Sequence, residues 1–519
     1  MKNKNIFNQI NEENSNLKWI LLSVIITTCF LIRFFQIPYD LPLTLDSLTY
    51  FFYASDIVFI NELPINYTPI NNGWSIFLST FFSVITLENT IEYMNLQRVI
   101  SVVCSTITCI PIFYVCKKYL GTLFGLFGAL IFAVEPRIIL NSLLGLTEPL
   151  FLLLISLGFA LFVNTKFKLT IISFTIITLA TLVRGEGVLL LIAFVIIYIL
   201  KNKKDDKLIP KTVLILSLIF LIMLPISLYR IDILGTDGMF FRLSSSTNDL
   251  AESTEYRSSY LENGFKNFPQ YFGWILIPIF IIFGFVGILN ILQNRNFSAF
   301  EIIFPLILIS LSAVHSTAVS LQETRFFLPM YPFLIVVSCF GIKSIVSRFY
   351  YKKFIILAMI FVIIISSCIF GYYKNTNFEH EFESYLISKE ILTDKKKLND
   401  LYPELSYLEP SDLPEKWNDF GKLFNAERNN LSIRENVNHN FQIFGYKQFD
   451  NLDEFIENYR KDGLSHIIVD DKSSRELMIN DIYHHEEKYP FLNKIYDSND
   501  YRLNYKIKIF EIDWTQFEE

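Results

Sequence analysis

About eleven apolar stretches, each near the length needed to cross a bilayer, run through the first 371 residues and decide what this chain can become. A hydrocarbon core about 30 Å thick takes roughly 20 apolar residues per helix. Stretches of that kind lie at 19–37, 95–116, 120–138, 145–163, 169–183, 187–200, 211–229, 272–293, 299–320, 326–346 and 353–371. Composition agrees: 52% of residues are hydrophobic, 51 are Phe and only 18% are charged, far from a soluble domain. The expected fold class is an α-helical polytopic membrane protein with about 11 transmembrane helices. The pieces at 169–183 and 187–200 are short and separated by Arg184-Gly185-Glu186. They read either as two spans or as a re-entrant pair, where polar backbone survives only when packed in protein or lining a cavity.

Basic residues orient the chain. Lys2, Lys4 and Lys18 precede the first stretch, and Lys117, Lys118, Lys166, Lys168, the run Lys201 to Lys207, Arg295, and Lys343 to Lys353 fall in alternate loops. The positive-inside rule puts these in the cytoplasm, with the N-terminal residues 1–18. The outer loops 38–94 and 230–271 and everything after residue 371 then lie outside, on a multi-pass protein of the cell membrane. The first stretch contains Arg33 and shows no small-residue cleavage site, so it reads as a retained helix rather than a signal peptide.

Residues 372–519 differ in kind. They hold 30 acidic against 19 basic residues, whereas residues 1–371 hold 21 against 26. This reads as a separate exterior domain with α/β character: strands at Phe441 to Tyr446, His466 to Val469 and Tyr505 to Ile512, and helices at Leu452 to Tyr459 and near 474–488. Its acidity argues against nucleic acid as a partner. All six cysteines lie in or at the ends of apolar stretches, so no disulfide framework is expected.

Charge beside the hydrocarbon is costly and therefore informative. Asp46 follows the first stretch, in an outer segment where Leu48, Phe51, Phe52, Val58 and Phe59 share one helical face and Asp46, Thr49, Tyr53 and Asp56 the other, as in a helix lying in the membrane interface. Gly73 to Leu78 reads as a second interfacial piece. Glu148, in Leu146-Thr147-Glu148-Pro149-Leu150, opens the fourth long stretch. Each acid also has a bland reading, Asp46 as an N-cap and Glu148 as a first-turn acid favoured by the helix dipole. Arg98, Arg230 and Arg325 gather on the same side. Any one could be an interfacial anchor, but three guanidinium forks with two acids suit an anionic, membrane-borne substrate.

Taken in order and by side, these features resemble the GT-C glycosyltransferases: an interfacial Asp46, Thr147-Glu148-Pro149-Leu150 atop the fourth stretch, the turn Arg184-Gly185-Glu186-Gly187, Arg325-Phe326-Phe327-Leu328-Pro329 opening a late stretch, and an exterior α/β domain. The similarity is closest to the branch of protein O-mannosyltransferases and lipid-A aminoarabinose transferases. It implies transfer of a sugar, with inversion, from a polyprenyl- or dolichyl-phosphate donor to a glycan, lipid or protein acceptor at the outer face. It implies Asp46 as the base and Glu148 as its catalytic helper, with Arg98, Arg230 and Arg325 on the donor phosphate. Arg184 and Glu186 would form a cavity-lining structural turn. Relatives carry Asp-Glu where this chain has Asp46-Ser47, and a Lys-Pro-Pro-like stretch where it has Asn71-Asn72-Gly73, which leaves one phosphate contact unassigned.

Two other readings stay open. Trp417-Asn418-Asp419-Phe420-Gly421 loosely resembles the acceptor motif of oligosaccharyltransferases, although the first outer loop lacks Asp-x-Asp. A transporter or flippase of lipid-linked sugars would place its polar groups nearer the midplane and show paired repeats. No cofactor is expected; Asp46 and Glu148 could share a divalent ion through oxygen ligands, but a phosphate-held donor does not require one. His484-His485, adjacent on a helix, reads as a solvated surface pair.

Overall fold

The structure is a computed structural model and describes residues 16–43, 45–64, 71–87, 90–164, 166–235, 254–294, 297–318, 324–373, 451–471, 477–500 and 506–518. The chain divides into two compact units, one of residues 1–37, 43–86 and 93–375, the other of residues 38–42, 87–92 and 376–519.

The first unit is helical. Its elements are α1 (Leu17–Phe34), α2 (Leu45–Ile60), α3 (Gly73–Phe82), α4 (Thr90–Ile107), α5 (Cys109–Leu120), α6 (Thr122–Val134), α7 (Pro136–Leu143), α8 (Glu148–Phe162), α9 (Phe167–Val183), α10 (Gly187–Lys201), α11 (Leu208–Leu234), α12 (Thr254–Leu276), α13 (Phe280–Asn294), α14 (Phe297–Ala318), a 3-10 turn (Thr324–Met330), α15 (Tyr331–Ser347) and α16 (Lys352–Tyr373). Among the described residues six helices are long and apolar enough to cross a membrane, and two bent pairs, α6 with α7 at 52° and the end of α12 with α13 at 102°, bring this to eight. A total of eleven would need the shorter α8, α9 and α10 to cross as well. At 1.5 Å per residue the 17 residues of α9 reach about 25 Å. The protein is a multi-pass membrane protein.

Local chemistry explains the breaks. Pro136 opens α7 and drives Glu135 into an extended conformation, because the residue before a proline avoids helical backbone. Arg33, out of place in an apolar helix by sequence, donates to the carbonyls of Ala133 (2.8 Å) and Phe132 (3.3 Å). It thus satisfies the C-terminal end of α6, where orphan acceptors and dipole both favour a cation. α13 and α15 touch backbone to backbone: a Cβ at Gly287 would overlap the Val337 carbonyl, and one at Gly341 the Phe283 carbonyl. Small residues allow this close approach where no hydrophobic effect drives helices together. α11 and α16 instead carry Phe220, Leu221, Phe354 and Phe361 exposed, as an apolar surface solvated by lipid requires.

One expectation needs correction. The polar face of α2 is not open: Tyr53 is fully buried and Asp56 nearly so, and the Tyr53 hydroxyl lies 3.5 Å from that of Tyr229 near the end of α11. The segment expected as the outer loop 230–271 is helical through Leu234 and from Thr254.

In the second unit α17 (Leu452–Tyr459), β1 (His466–Asp470), α18 (Leu477–His484), β2 (Leu492–Asp497), β3 (Ile507–Ile512) and α19 (Trp514–Phe517) are described. The sheet order is β1-β3-β2, all antiparallel. One face packs Leu452, Ile456, Ile467, Val469, Ile482 and Phe510 into a core. β2 escaped the sequence reading because an irregularity between Lys494 and Tyr496 breaks its alternation. The expected strand 441–446 and the segment 417–421 lie outside the described residues. His484 and His485 face Asp471 and Glu487 separately, at 3.0 and 3.6 Å, on an exposed surface.

Candidate active site

The site begins with α2, which presents Asp46 as its second residue. The side chain is half exposed, and its Oδ2 accepts from Arg325 Nη1 at 2.6 Å. Asp46 is therefore a first-turn acid, where the helix dipole favours negative charge, with its carboxylate turned to a partner on another element. Arg325 comes from the 3-10 turn, which packs against α8 and α14.

Glu148 starts α8 and is 1% exposed. Arg184 Nη1 donates to Glu148 Oε1 and to Thr147 Oγ1 at 3.2 Å. Its Nη2 and Nε hold Glu186 at 2.7 and 3.3 Å. All three guanidinium nitrogens are thus occupied, and Arg184 joins the two acids that sequence reading had kept apart. Glu148 Oε2 is buried and takes no hydrogen bond from any described residue, an arrangement that calls for an explanation in a folded protein.

One aromatic ring links the two ion pairs. The guanidinium carbons of Arg184 and Arg325 lie 5.9 and 5.3 Å from the Phe326 ring, within cation–π range. Tyr50, one turn along α2 from Asp46, lies in the fields of Asp46, Glu148, Arg184 and Arg325; burial pushes its phenol up to about 12, so it stays neutral.

Arg230 lies in the last turns of α11, fully buried, and its Nη2 donates to Asn72 Oδ1 at 2.8 Å. Asn72 sits here because Gly73 lets the start of α3 press on the end of α9, where a Cβ would meet the Leu182 backbone at 2.6 Å. Asn72 Nδ2 is buried and meets no acceptor among the described residues. Tyr229, next to Arg230, donates to the Pro64 carbonyl (2.7 Å) and lies 3.5 Å from Tyr53, which fixes this end of α11 to α2. Arg98, nearly buried, donates to Asn95 Oδ1 at 2.9 Å on its own helix. Among the described residues no group of three or more His, Cys, Asp or Glu side chains is placed to hold a metal ion.

A family profile described as dolichyl-phosphate-mannose-protein mannosyltransferase matches residues 79–229, fewer than half of the chain. No well-characterised protein matches at the level of sequence. Among solved structures, the archaeal oligosaccharyltransferase AglB from Archaeoglobus fulgidus, in complex with an inhibitory peptide and a dolichol-phosphate, is similar at 12% identity and TM-score 0.51, over 88% of this chain and 69% of that one. The chain has the GT-C membrane glycosyltransferase fold. A second GT-C structure, ArnT from Cupriavidus metallidurans bound to undecaprenyl phosphate, is 12% identical with TM-score 0.48, over 96% of this chain and 98% of that one. The mannosyltransferase-like resemblance read from the sequence agrees with the family profile over residues 79–229.

Proposed function

We propose that this GT-C protein is an inverting glycosyltransferase that takes a sugar from a polyprenyl- or dolichyl-phosphate donor and passes it to an acceptor hydroxyl at the outer membrane face. The observation that carries the reading is the half-exposed Asp46 carboxylate, held 2.6 Å from Arg325, together with a second, buried acid, Glu148, whose Oε2 meets no donor among the described residues. The family match to a dolichyl-phosphate-mannose transferase profile supports the donor class. ArnT and AglB were solved with undecaprenyl phosphate and dolichol-phosphate, which belong to the same class.

A sugar phosphate already carries its leaving group. The protein therefore needs a base for the acceptor and cations for the departing charge. Asp46 takes the proton from the acceptor hydroxyl. The oxygen then bonds to the anomeric carbon on the face opposite the phosphate, the bond from that carbon to the phosphate oxygen breaks, and the electron pair leaves with the lipid phosphate. A guanidinium has five N–H donors, so Arg325 can hold Asp46 and a phosphate oxygen together, with Arg230 and Arg98 completing the grip. Glu148, fixed through Oε1 by Arg184, offers Oε2 to orient the acceptor. In this reading no metal ion is required, since the cations are already in place.

The test is purified protein in liposomes with a labelled polyprenyl-phosphate hexose and a membrane extract as acceptor source. Covalent transfer of label, lost in Asp46→Asn, is expected. Movement of label across the bilayer without transfer would support a transporter instead.

A further inference from the structure

Two acids that act on one bond must be held at a fixed spacing, yet Asp46 and Glu148 sit on elements far apart in sequence. The side chain of Gln97 joins those elements. It projects from α4, is fully buried, and its single Nε2 donates to the Ser47 carbonyl at 2.9 Å and to the Gly145 carbonyl at 2.7 Å. Ser47 follows Asp46, and Gly145 lies three residues before Glu148. Because the two N–H bonds of one amide diverge by about 120°, these carbonyl oxygens are held about 5 Å apart.

The surroundings are built for this bridge. Trp74 Nε1 adds a second donor to the Gly145 carbonyl at 3.1 Å, and Ser75 Oγ donates to the Tyr50 carbonyl at 2.9 Å, so α3 braces both sides. Gly145 has φ +71°, and a Cβ there would meet Gln97 Cγ at 3.2 Å and Nε2 at 3.3 Å. Glycine is thus needed at this corner both for its left-handed backbone and for the close approach of the amide. The two carbonyl acceptors fix the amide's orientation, since turned over its oxygen would face both of them.

We propose that Gln97 is a positioning residue that sets the distance between Asp46 and Glu148, with Trp74 and Gly145 as its support. This rests on the catalytic roles proposed above. Gln97 touches neither acid's carboxylate. It acts through backbone, and a shift of about 1 Å in a reacting group can cost about a hundredfold in rate.

The experiment uses the full-length protein in liposomes with the labelled donor. Gln97→Leu keeps the volume and removes both hydrogen bonds. Its kcat is expected to fall about tenfold to a hundredfold while donor KM stays within about twofold, and Gln97→Glu, whose carboxylate repels both carbonyls, is expected to fall further. In an Asp46→Asn background Gln97→Leu should have almost no further effect, as coupled residues are non-additive. Spin labels at Glu62→Cys and Leu144→Cys, with Cys368→Ser, give a readout free of catalysis: their distance distribution should broaden in Gln97→Leu. Unchanged kcat and distance distribution, or an equal loss in both backgrounds, would overturn the proposal. Full transfer by Asp46→Asn itself would instead remove the proposed base, and the spin-label distances would still decide whether Gln97 sets the spacing.

Discussion

Asp46 and Arg325, 279 positions apart, meet at 2.6 Å, whereas Glu148 meets Arg184 in the protein interior. The two pairs differ in exposure and so in energetics. The side chains of Asp46 and Arg325 are 49% and 26% exposed, those of Glu148 and Arg184 1% and 10%. An exposed pair contributes about 1 kcal/mol or less to stability, while breaking a buried one leaves an uncompensated charge. The first pair is therefore open to exchange its partners, while in the second Arg184 holds Glu148 in place.

Arg184→Met should accordingly destabilise the protein by about 3–5 kcal/mol, the usual result of stranding one member of a buried pair. Adding Glu148→Gln should recover part of that loss by removing the stranded charge. Thermal melts of both variants in detergent check this; equal melting of wild type and Arg184→Met would contradict the buried-pair assignment.

For Arg325→Ala the expectation is opposite in kind. Folding stability should change by less than about 1 kcal/mol, while donor lipid binding should weaken by about 1.5–3 kcal/mol through the lost charge-assisted contact. Donor affinity measured by lipid competition, beside a melt, separates the two effects. Unaltered affinity would return Arg325 to an interfacial anchor.

Helix packing provides a prediction independent of catalysis. Gly287→Ala inserts a methyl where α13 meets the Val337 carbonyl, and overpacking of this kind costs about 1–3 kcal/mol or more. Gly371→Ala, on α16 with nothing within 4 Å, should be nearly silent. A neutral Gly287→Ala would show that the two backbones are not in contact.

How much of this was legible in the sequence depends on what each residue shows locally. Asp46 and Glu148 stood out because a charge beside a long apolar stretch is expensive. The turn at 184–186 is local chemistry and shows in the sequence, whereas the break at Pro136 falls inside the stretch 120–138 that reads as one span. Arg184 could be seen as a turn residue but not as the partner of Glu148, since nothing within either segment encodes a contact between α8 and the end of α9. Buried Tyr53 and Asp56 misled the pattern, because the helix covering α2 lies outside its own sequence window. Gln97 gave no signal at all beyond being an uncharged amide beside Arg98, and its role exists only where Ser47 and Gly145 converge.

The most direct test of the account is the rate of sugar transfer by Asp46→Asn at equal amounts of folded protein. The variant keeps the shape and loses the proton acceptor, so transfer should fall by about 10²–10⁴ while donor binding holds. Glu148→Gln should lose less, because an amide can still orient a hydroxyl. Full transfer by Asp46→Asn would contradict the assignment of Asp46 as the base, and a larger loss at Glu148 would exchange the two roles.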